Sequence, residues 1–293
     1  MKHALTIDVE DYFQVAALSS QIKYEDWPNW PLRVERNTEM LLELLDERDI
    51  QATFFILGWV AERCPELVKR IHMQGHEVAC HGMTHQLVYT QKPTVFKEET
   101  FKSKKILEDI TGESVLGYRA ASYSITPKSL WAIETLIEAG FTYDSSIFPV
   151  HHDRYGMPGA PLTIHTAITE DNKTITEYPL TSANFAGRRL PVAGGGYFRI
   201  YPYWFSRRML RRAAKEINQP FIFYLHPWEI DSQQPIVSGL SPLSKFRHYT
   251  NLKRCFPRLK LLLRDFEFTT VKNIIAKTEN LTTFDYRTVP SET

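Results

Sequence analysis

The sequence predicts an α/β protein built on a parallel sheet or barrel, and three observations predict it. Short apolar runs alternate with helical patterns, each run ends on polar residues, and those residues are of kinds that bind metals and move protons. In such folds ligand sites lie at the carboxyl ends of the strands.

"HALTID" is a short apolar run suited to a buried strand, and "VERNTEMLLELLDERD" places apolar residues at helical spacing with charges opposite. "QATFFILG" is a second strand. "PELVKRIHMQGHEVACH" repeats the unit, with Pro65 at the favoured first helical position, Gly75 after the last turn and "EVAC" as strand. The charged helix "TVFKEETFKSKKILEDITG" leads to "SVLGYRA", and "PKSLWAIETLIEAG" leads to "FTYDSS". Between Pro149 and Pro202 the alternation breaks into Gly, Pro and polar residues, read as functional loops or a small β insertion. It resumes with the helix "YWFSRRMLRRAAKEIN" and the strand "PFIFYLHP". Beyond Asp231 a polar linker runs into "NLKRCFPRLKLLLRDFEFTTVKNIIAK", read as helix, short strand, helix. The division expected is residues 1–231 and an extension, 232–293.

With 35 basic and 34 acidic residues, the net charge of +1 gives no bulk field to attract nucleic acid or an anionic membrane. Cys64, Cys80 and Cys255 are odd in number and form no CxxC pair, against a disulfide framework or a thiolate zinc site. No stretch reaches the roughly 18 apolar residues of a membrane span, and the gap before Asp8 is short for a signal peptide. A cytoplasmic location is the expectation.

"ACHGMTHQ" sets His81 and His85 four apart just beyond a predicted strand; on one helical turn such residues share a face and converge on one cation. Taken alone, the spacing more often marks two surface histidines. "LTIDVEDYF" adds Asp8, Glu10 and Asp11 directly after a buried strand, where carboxylates this close call for a cation or an arginine. Two histidines and one carboxylate leave positions open for water and substrate, the arrangement of catalytic zinc, and suit hydrolysis of an amide or ester. That chemistry also needs a base and an acid. "YLHPWE" offers His226 as acid and "GYRAASY" offers Arg119 to hold Asp8 ionised, both at strand ends.

The ordered set "LTIDVED", "GHEVACHGMTH", "GYRAASYSIT", "YDSSIFP" and "YLHPWE" resembles the polysaccharide deacetylase family, carbohydrate esterase family four, of NodB homology. The loops "HHDRYGMPGAP" and "LPVAGGGYFRIYP" and the tail "QQPIVSGLSPLSKFRHYTNL" resemble a subgroup found with exosortase and exopolysaccharide loci, whose extension has no known role. The resemblance implies a distorted (β/α) barrel of about seven parallel strands and a divalent metal, Zn2+ first, with Co2+, Ni2+ or Fe2+ as substitutes. It implies Asp8 as base, Arg119 as its tether, His226 as general acid, Asp144 as a brace, and His81 and His85 as ligands.

The chain departs from the family where most members have two adjacent aspartates, for Val9 stands in the second place. In extended backbone residues i and i+2 share a side, so Glu10 is the expected third ligand, with Asp11 the alternative. "RAAS" replaces the more usual "RPPY", leaving Ser122 or Tyr123 to present an oxyanion-binding amide. Tyr12, Phe13, Tyr197, Phe198 and Trp228 are candidates for stacking on sugar, Arg154 and Arg199 for meeting a phosphate, and Asp153 for a further contact. The expected reaction is removal of N-acetyl groups from an N-acetylhexosamine-containing saccharide, or from its nucleotide-linked or lipid-linked precursor, in exopolysaccharide synthesis. The alternatives are an allantoinase-like cyclic amide hydrolase and a catalytically silent sugar-binding subunit. Homo-oligomerisation stays open.

Overall fold

The computed structural model describes residues 1–152, 155–169 and 171–289. Its strands are β1 (His3–Val9), β2 (Thr53–Ile56), β3 (Glu77–Cys80), β4 (Gly117–Tyr118), β5 (Tyr143–Asp144), β6 (His165–Ile168), β7 (Thr174–Glu177), β8 (Ser182–Phe185), β9 (Arg188–Pro191), β10 (Ile222–Leu225), β11 (Phe268–Thr269) and β12 (Thr282–Asp285). The helices are α1 (Val34–Asp46), α2 (Gly58–Arg63), α3 (Pro65–Met73), α4 (Pro93–Thr111), α5 (Trp131–Glu138), α6 (Gly195–Ile200), α7 (Tyr203–Ile217), α8 (Pro242–Tyr249), α9 (Leu252–Asp265) and α10 (Val271–Ile275).

The main sheet runs β10-β1-β2-β3-β4-β5-β7, seven strands parallel throughout, as expected, and then turns antiparallel at β6, with β12 beside it. Among the described residues no ladder joins β10 to β7. Side chains bridge that side instead: Tyr178 Oη donates to Pro220 O at 2.9 Å, and the Ile222 amide donates to Thr181 Oγ1 at 2.9 Å. The sheet therefore curls toward a barrel without a closed ladder. The tail is built into it, since β11 pairs with the start of β1.

Both faces of β1 are covered, so all seven of its residues are buried and it reads as a continuous apolar run. The period of two then sorts side chains. Leu5, Ile7 and Val9, with Phe54, Ile56, Val78, Phe223 and Leu225, pack outward into the main core. Ala4, Phe55, Ala79, Ile222 and Tyr224 point inward into a second apolar cluster. One step further along the inner face stand Asp8, His81 and His226. Gly117 belongs to the same face, where a Cβ would lie 2.0 Å from the Tyr143 ring, and Arg119 follows two residues on.

Two buried histidines far from those strand ends make folding sensitive to acid. The Ala52 amide donates to His76 Nδ1 at 3.2 Å and the Phe221 amide to His3 Nδ1 at 3.1 Å, bonds that require neutral rings. Burial lowers both imidazoles to about 4. An unfolded histidine takes its proton near 6.5, so this stability is complete above that pH and is lost as pH falls toward 4, on the order of 3 kcal/mol per ring. Urea unfolding at pH 7 and at pH 4.5 is expected to show the loss, and an imidazole NMR titration that found His76 protonated at pH 6 would contradict it.

Candidate active site

The strand ends meet in a cleft of about 350 Å³ lined by Asp8, Glu10, His81, His85, Ser122, Tyr123, Tyr197 and His226 among others. A second cavity, of about 390 Å³, lies at the opposite ends of the strands around Gly75, His76 and Thr270 and is lined by none of the candidate site residues.

Glu10, His81 and His85 place ligand atoms within 4.8 Å of one another. Glu10 Oε2 lies 2.6 Å from His85 Nε2, and the Arg119 carbonyl engages His81 Nδ1 at 2.8 Å, leaving His81 Nε2 for the cleft. Burial lowers the His81 imidazole to about 4 against the opposing pull of Asp8, which keeps its lone pair available. Burial raises the Glu10 carboxyl, but His85 and His226 overcome it and hold the group well below the usual carboxylate range. A carboxylate and two imidazoles are a donor set that fits a divalent cation of borderline softness. The histidines converge by a different device from the expected helical turn. Residues 81–87 form a loop in which Gly82 and His85 take φ of 76° and 53°, bending the chain so that both rings face Glu10.

Asp11 turns away from the cation position. Its Oδ1 accepts from the Tyr12 amide at 2.8 Å, and its Oδ2 from the Arg33 and Val34 amides at 2.6 and 2.8 Å, capping a 3-10 turn and the start of α1.

Asp8 is fully engaged. Arg119 Nη1 donates to its Oδ1 at 2.7 Å, and Tyr123 Oη to its Oδ2 at 3.4 Å. Arg119 is fixed in turn by Thr6 Oγ1, Ser145 O and Ser145 Oγ and lies over the Phe55 ring. Asp144 sits beneath, accepting from Ser146 Oγ at 2.6 Å, in register with Glu177 of β7. Burial raises both carboxyls, Asp144 to about 6 and Glu177 well above the usual carboxylate range, with the Asp144 charge adding to the effect on Glu177.

His226 Nε2 lies 3.8 Å from Asp8 Oδ2 and 3.7 Å from Glu10 Oε1, while its Nδ1 meets Glu229 Oε2 at 2.9 Å. Burial opposes its charging, but Glu10, Glu229 and Asp8 prevail and raise it to about 9. Trp228 donates from Nε1 to Glu10 Oε1 at 3.0 Å, its ring stacked between His226 and His248. Trp228 also lines the cleft.

Several expected substrate contacts lie elsewhere. Tyr12 is buried against Phe13 and Trp30, and Phe198 against Phe223. The Arg199 guanidinium is buried and spent on Glu229 and backbone carbonyls instead of facing a phosphate. Ser122, Tyr123, Tyr197, Arg199 and Trp228 all line the cleft. The Tyr123 amide is committed to Ala120 O. Asp153 and Arg154 lie outside the described residues.

The sequence reading missed Glu229, Tyr155, Tyr224, Phe246 and Arg247. For Glu229 the signal was present: it stands three residues after His226, the capping-box spacing. In "AGGGYF", Gly194 has φ 136° and a Cβ there would lie 1.9 Å from Tyr224 O, so the triple glycine lets this loop press on β10 at the cleft wall.

The polysaccharide deacetylase profile matches residues 20–143, and a domain of unknown function, DUF3473, matches residues 145–276. The chain carries a polysaccharide deacetylase domain followed by DUF3473. The chain is 35% identical over 204 residues to a peptidoglycan-N-acetylglucosamine deacetylase of Bacillus cereus, covering 69% of this chain and 60% of that protein. A chitooligosaccharide deacetylase of a Bradyrhizobium species is 28% identical over 114 residues, 39% of this chain and 50% of that protein. The chain thus spans about half to three fifths of these curated relatives. A putative polysaccharide deacetylase structure from Mycobacterium smegmatis has a TM-score of 0.59 at 18% identity, covering 97% of this chain and 94% of that one. An allantoinase structure has a TM-score of 0.61 at 15% identity, covering 93% and 88%. These likenesses show a shared fold. No helix among the described residues is long and apolar enough to cross a membrane.

Proposed function

We propose that the protein is a divalent-metal-dependent N-deacetylase of an N-acetylhexosamine-containing saccharide, or of its nucleotide-linked or lipid-linked precursor, serving exopolysaccharide synthesis in the cytoplasm. Residues 1–231 would form the catalytic body and 232–293 an extension packed on it. The observation that carries this reading is the meeting, in one cleft, of Asp8 and His226 beside the Glu10, His81 and His85 cluster.

Glu10, His81 and His85 would hold the cation, which when bound lowers the pKa of water and polarises a carbonyl oxygen. Asp8, kept in orientation by Arg119, takes the proton of the attacking water. The Ser122 amide faces the developing oxyanion, a contact whose removal costs about 3 kcal/mol in comparable sites. His226 passes a proton from Nε2 to the departing sugar amine, and acetate leaves. Tyr123, Tyr155 and Tyr197 supply aromatic wall for the ring and the acetyl methyl.

Metal analysis combined with an acetate-release screen over nucleotide sugars, lipid-linked sugars and oligosaccharides tests the reading. Acetate release from an N-acetylated sugar is expected, with allantoin untouched. Turnover of allantoin alone would favour the ureide hydrolase, and sugar binding by metal-replete protein without acetate release would favour a silent subunit.

A further inference from the structure

The Nδ1 of His226 is held by Glu229, and Glu229 is held in turn by Arg199, which is anchored on the end of α8. Arg199 Nε donates to Glu229 Oε1 at 2.7 Å, both side chains being buried. The rest of the guanidinium reaches the C-terminal end of α8: Nη2 donates to Arg247 O at 2.8 Å, and Nη1 to His248 O at 2.9 Å and Thr250 O at 2.7 Å. Carbonyls in the last turn of a helix lack intrahelical partners and carry the negative end of its dipole, so a cation is favoured there. The hold is reciprocal. Asn251 Nδ2 donates to Arg199 O at 2.9 Å, and Arg258 Nη1 to Phe198 O and Arg199 O at 3.0 and 2.6 Å.

A second arm runs beside the first. His248, bonded through Nε2 to Gln234 Oε1 at 2.6 Å, stacks on Trp228 with ring centroids 4.5 Å apart, and Trp228 donates to Glu10. Gln234 also donates to Trp228 O at 2.9 Å, fixing the turn that carries Glu229.

We infer that Arg199 and Glu229 are positioning residues for His226, and that residues 242–258 form a clamp that orients this imidazole with Nδ1 on Glu229 and Nε2 facing the reacting centre. The clamp, Arg199, Glu229 and His226 all fall within the domain of unknown function, whose role in this chain would be to supply the acid and hold it. The inference rests on the proposed reading of His226 as the acid.

The test uses the full-length, metal-replete protein in two arms. In imidazole-selective 15N NMR, wild type is expected to show a deshielded Nδ1–H resonance that disappears in His226→Ala. That resonance should move upfield in Glu229→Gln, a near-isosteric change, and in Arg199→Ala. This arm needs no substrate. The kinetic arm compares acetate release from chitopentaose carrying five N-acetyl groups with hydrolysis of 4-nitrophenyl acetate, whose leaving group departs without a proton. Glu229→Gln is expected to lower the amide kcat by about 10–100-fold, the range for residues that orient a reacting group, with KM changed less than about twofold. Ester kcat should fall far less, and adding Arg199→Ala to Glu229→Gln should cost less than about threefold more, as for groups acting through one path.

An unmoved Nδ1–H resonance in Glu229→Gln, or full amide turnover there while His226→Ala is inactive, would overturn the clamp and leave the acid assignment standing. Equal loss of amide and ester turnover in Glu229→Gln would also overturn it, because that pattern marks general damage. Full amide turnover in His226→Ala would overturn the acid assignment itself, and the clamp's purpose with it.

Discussion

Asp8→Asn is expected to lower acetate release by about a thousandfold or more while the protein still binds one metal equivalent, within the range by which a positioned base accelerates proton transfer. The substitution keeps the shape of the side chain, and its amide oxygen can still accept from Arg119. It removes the only function an amide cannot replace, taking the proton of water. The change also leaves the Arg119 guanidinium buried without its counter-charge, a loss of about 3–5 kcal/mol where nothing else compensates. Thr6 Oγ1, Ser145 O and Ser145 Oγ remain as acceptors, so the fold should persist at a lower melting temperature. Acetate assays beside metal analysis check both halves, and full activity in Asp8→Asn would sink the base assignment.

Replacing His81 or His85 with alanine is expected to abolish metal binding and turnover together. Three protein ligands are what a catalytic site of this type uses, and the remaining pair, Glu10 with one imidazole, leaves an incomplete set. The two variants should differ in stability. His81 Nδ1 is tied to the Arg119 carbonyl, so His81→Ala loosens the strand end that carries Arg119, whereas His85 Nδ1 has no hydrogen-bond partner among the described residues and His85→Ala costs the fold less. Metal content after dialysis, read with acetate release, is the check. Wild-type metal content in either variant would contradict the ligand set.

Much of the fold was legible because periodicity reports burial. "EVAC" is β3 residue for residue, and the helical patterns that follow Pro65 and Thr94 are α3 and α4, which begin at Pro65 and Pro93. What stayed hidden depended on partners far along the chain. β7 joins the main sheet beside β5 although its sequence, "TITE", looks like part of a polar insertion. α8 looks like linker in the sequence because its apolar residues Leu243 and Phe246 are exposed toward the cleft rim instead of packing in a core.

The same division holds in the site. Asp8, Arg119, His81 and His226 can be read because each stands at the end of a buried strand on its inner face, where position alone aims a side chain. Val9 between Asp8 and Glu10 is buried in the outward core, as the alternation requires. Trp228, Tyr12 and Arg199 could not be read in this way. An aromatic or a guanidinium in a loop serves a sugar, a core or a helix end equally well, and only its neighbours decide. Here His226 and His248 cover Trp228, Phe13 and Trp30 cover Tyr12, and the carbonyls of α8 take Arg199.

The most direct measurement of the account is the position of the cation in crystals of the zinc-loaded protein, located by anomalous scattering. The account predicts one zinc, with His81 Nε2, His85 Nε2 and a Glu10 carboxylate oxygen each at about 2.0–2.2 Å and Asp11 still on the Tyr12, Arg33 and Val34 amides. Zinc bound by Asp11 in place of Glu10, or no zinc between these residues at saturating concentration, would contradict it.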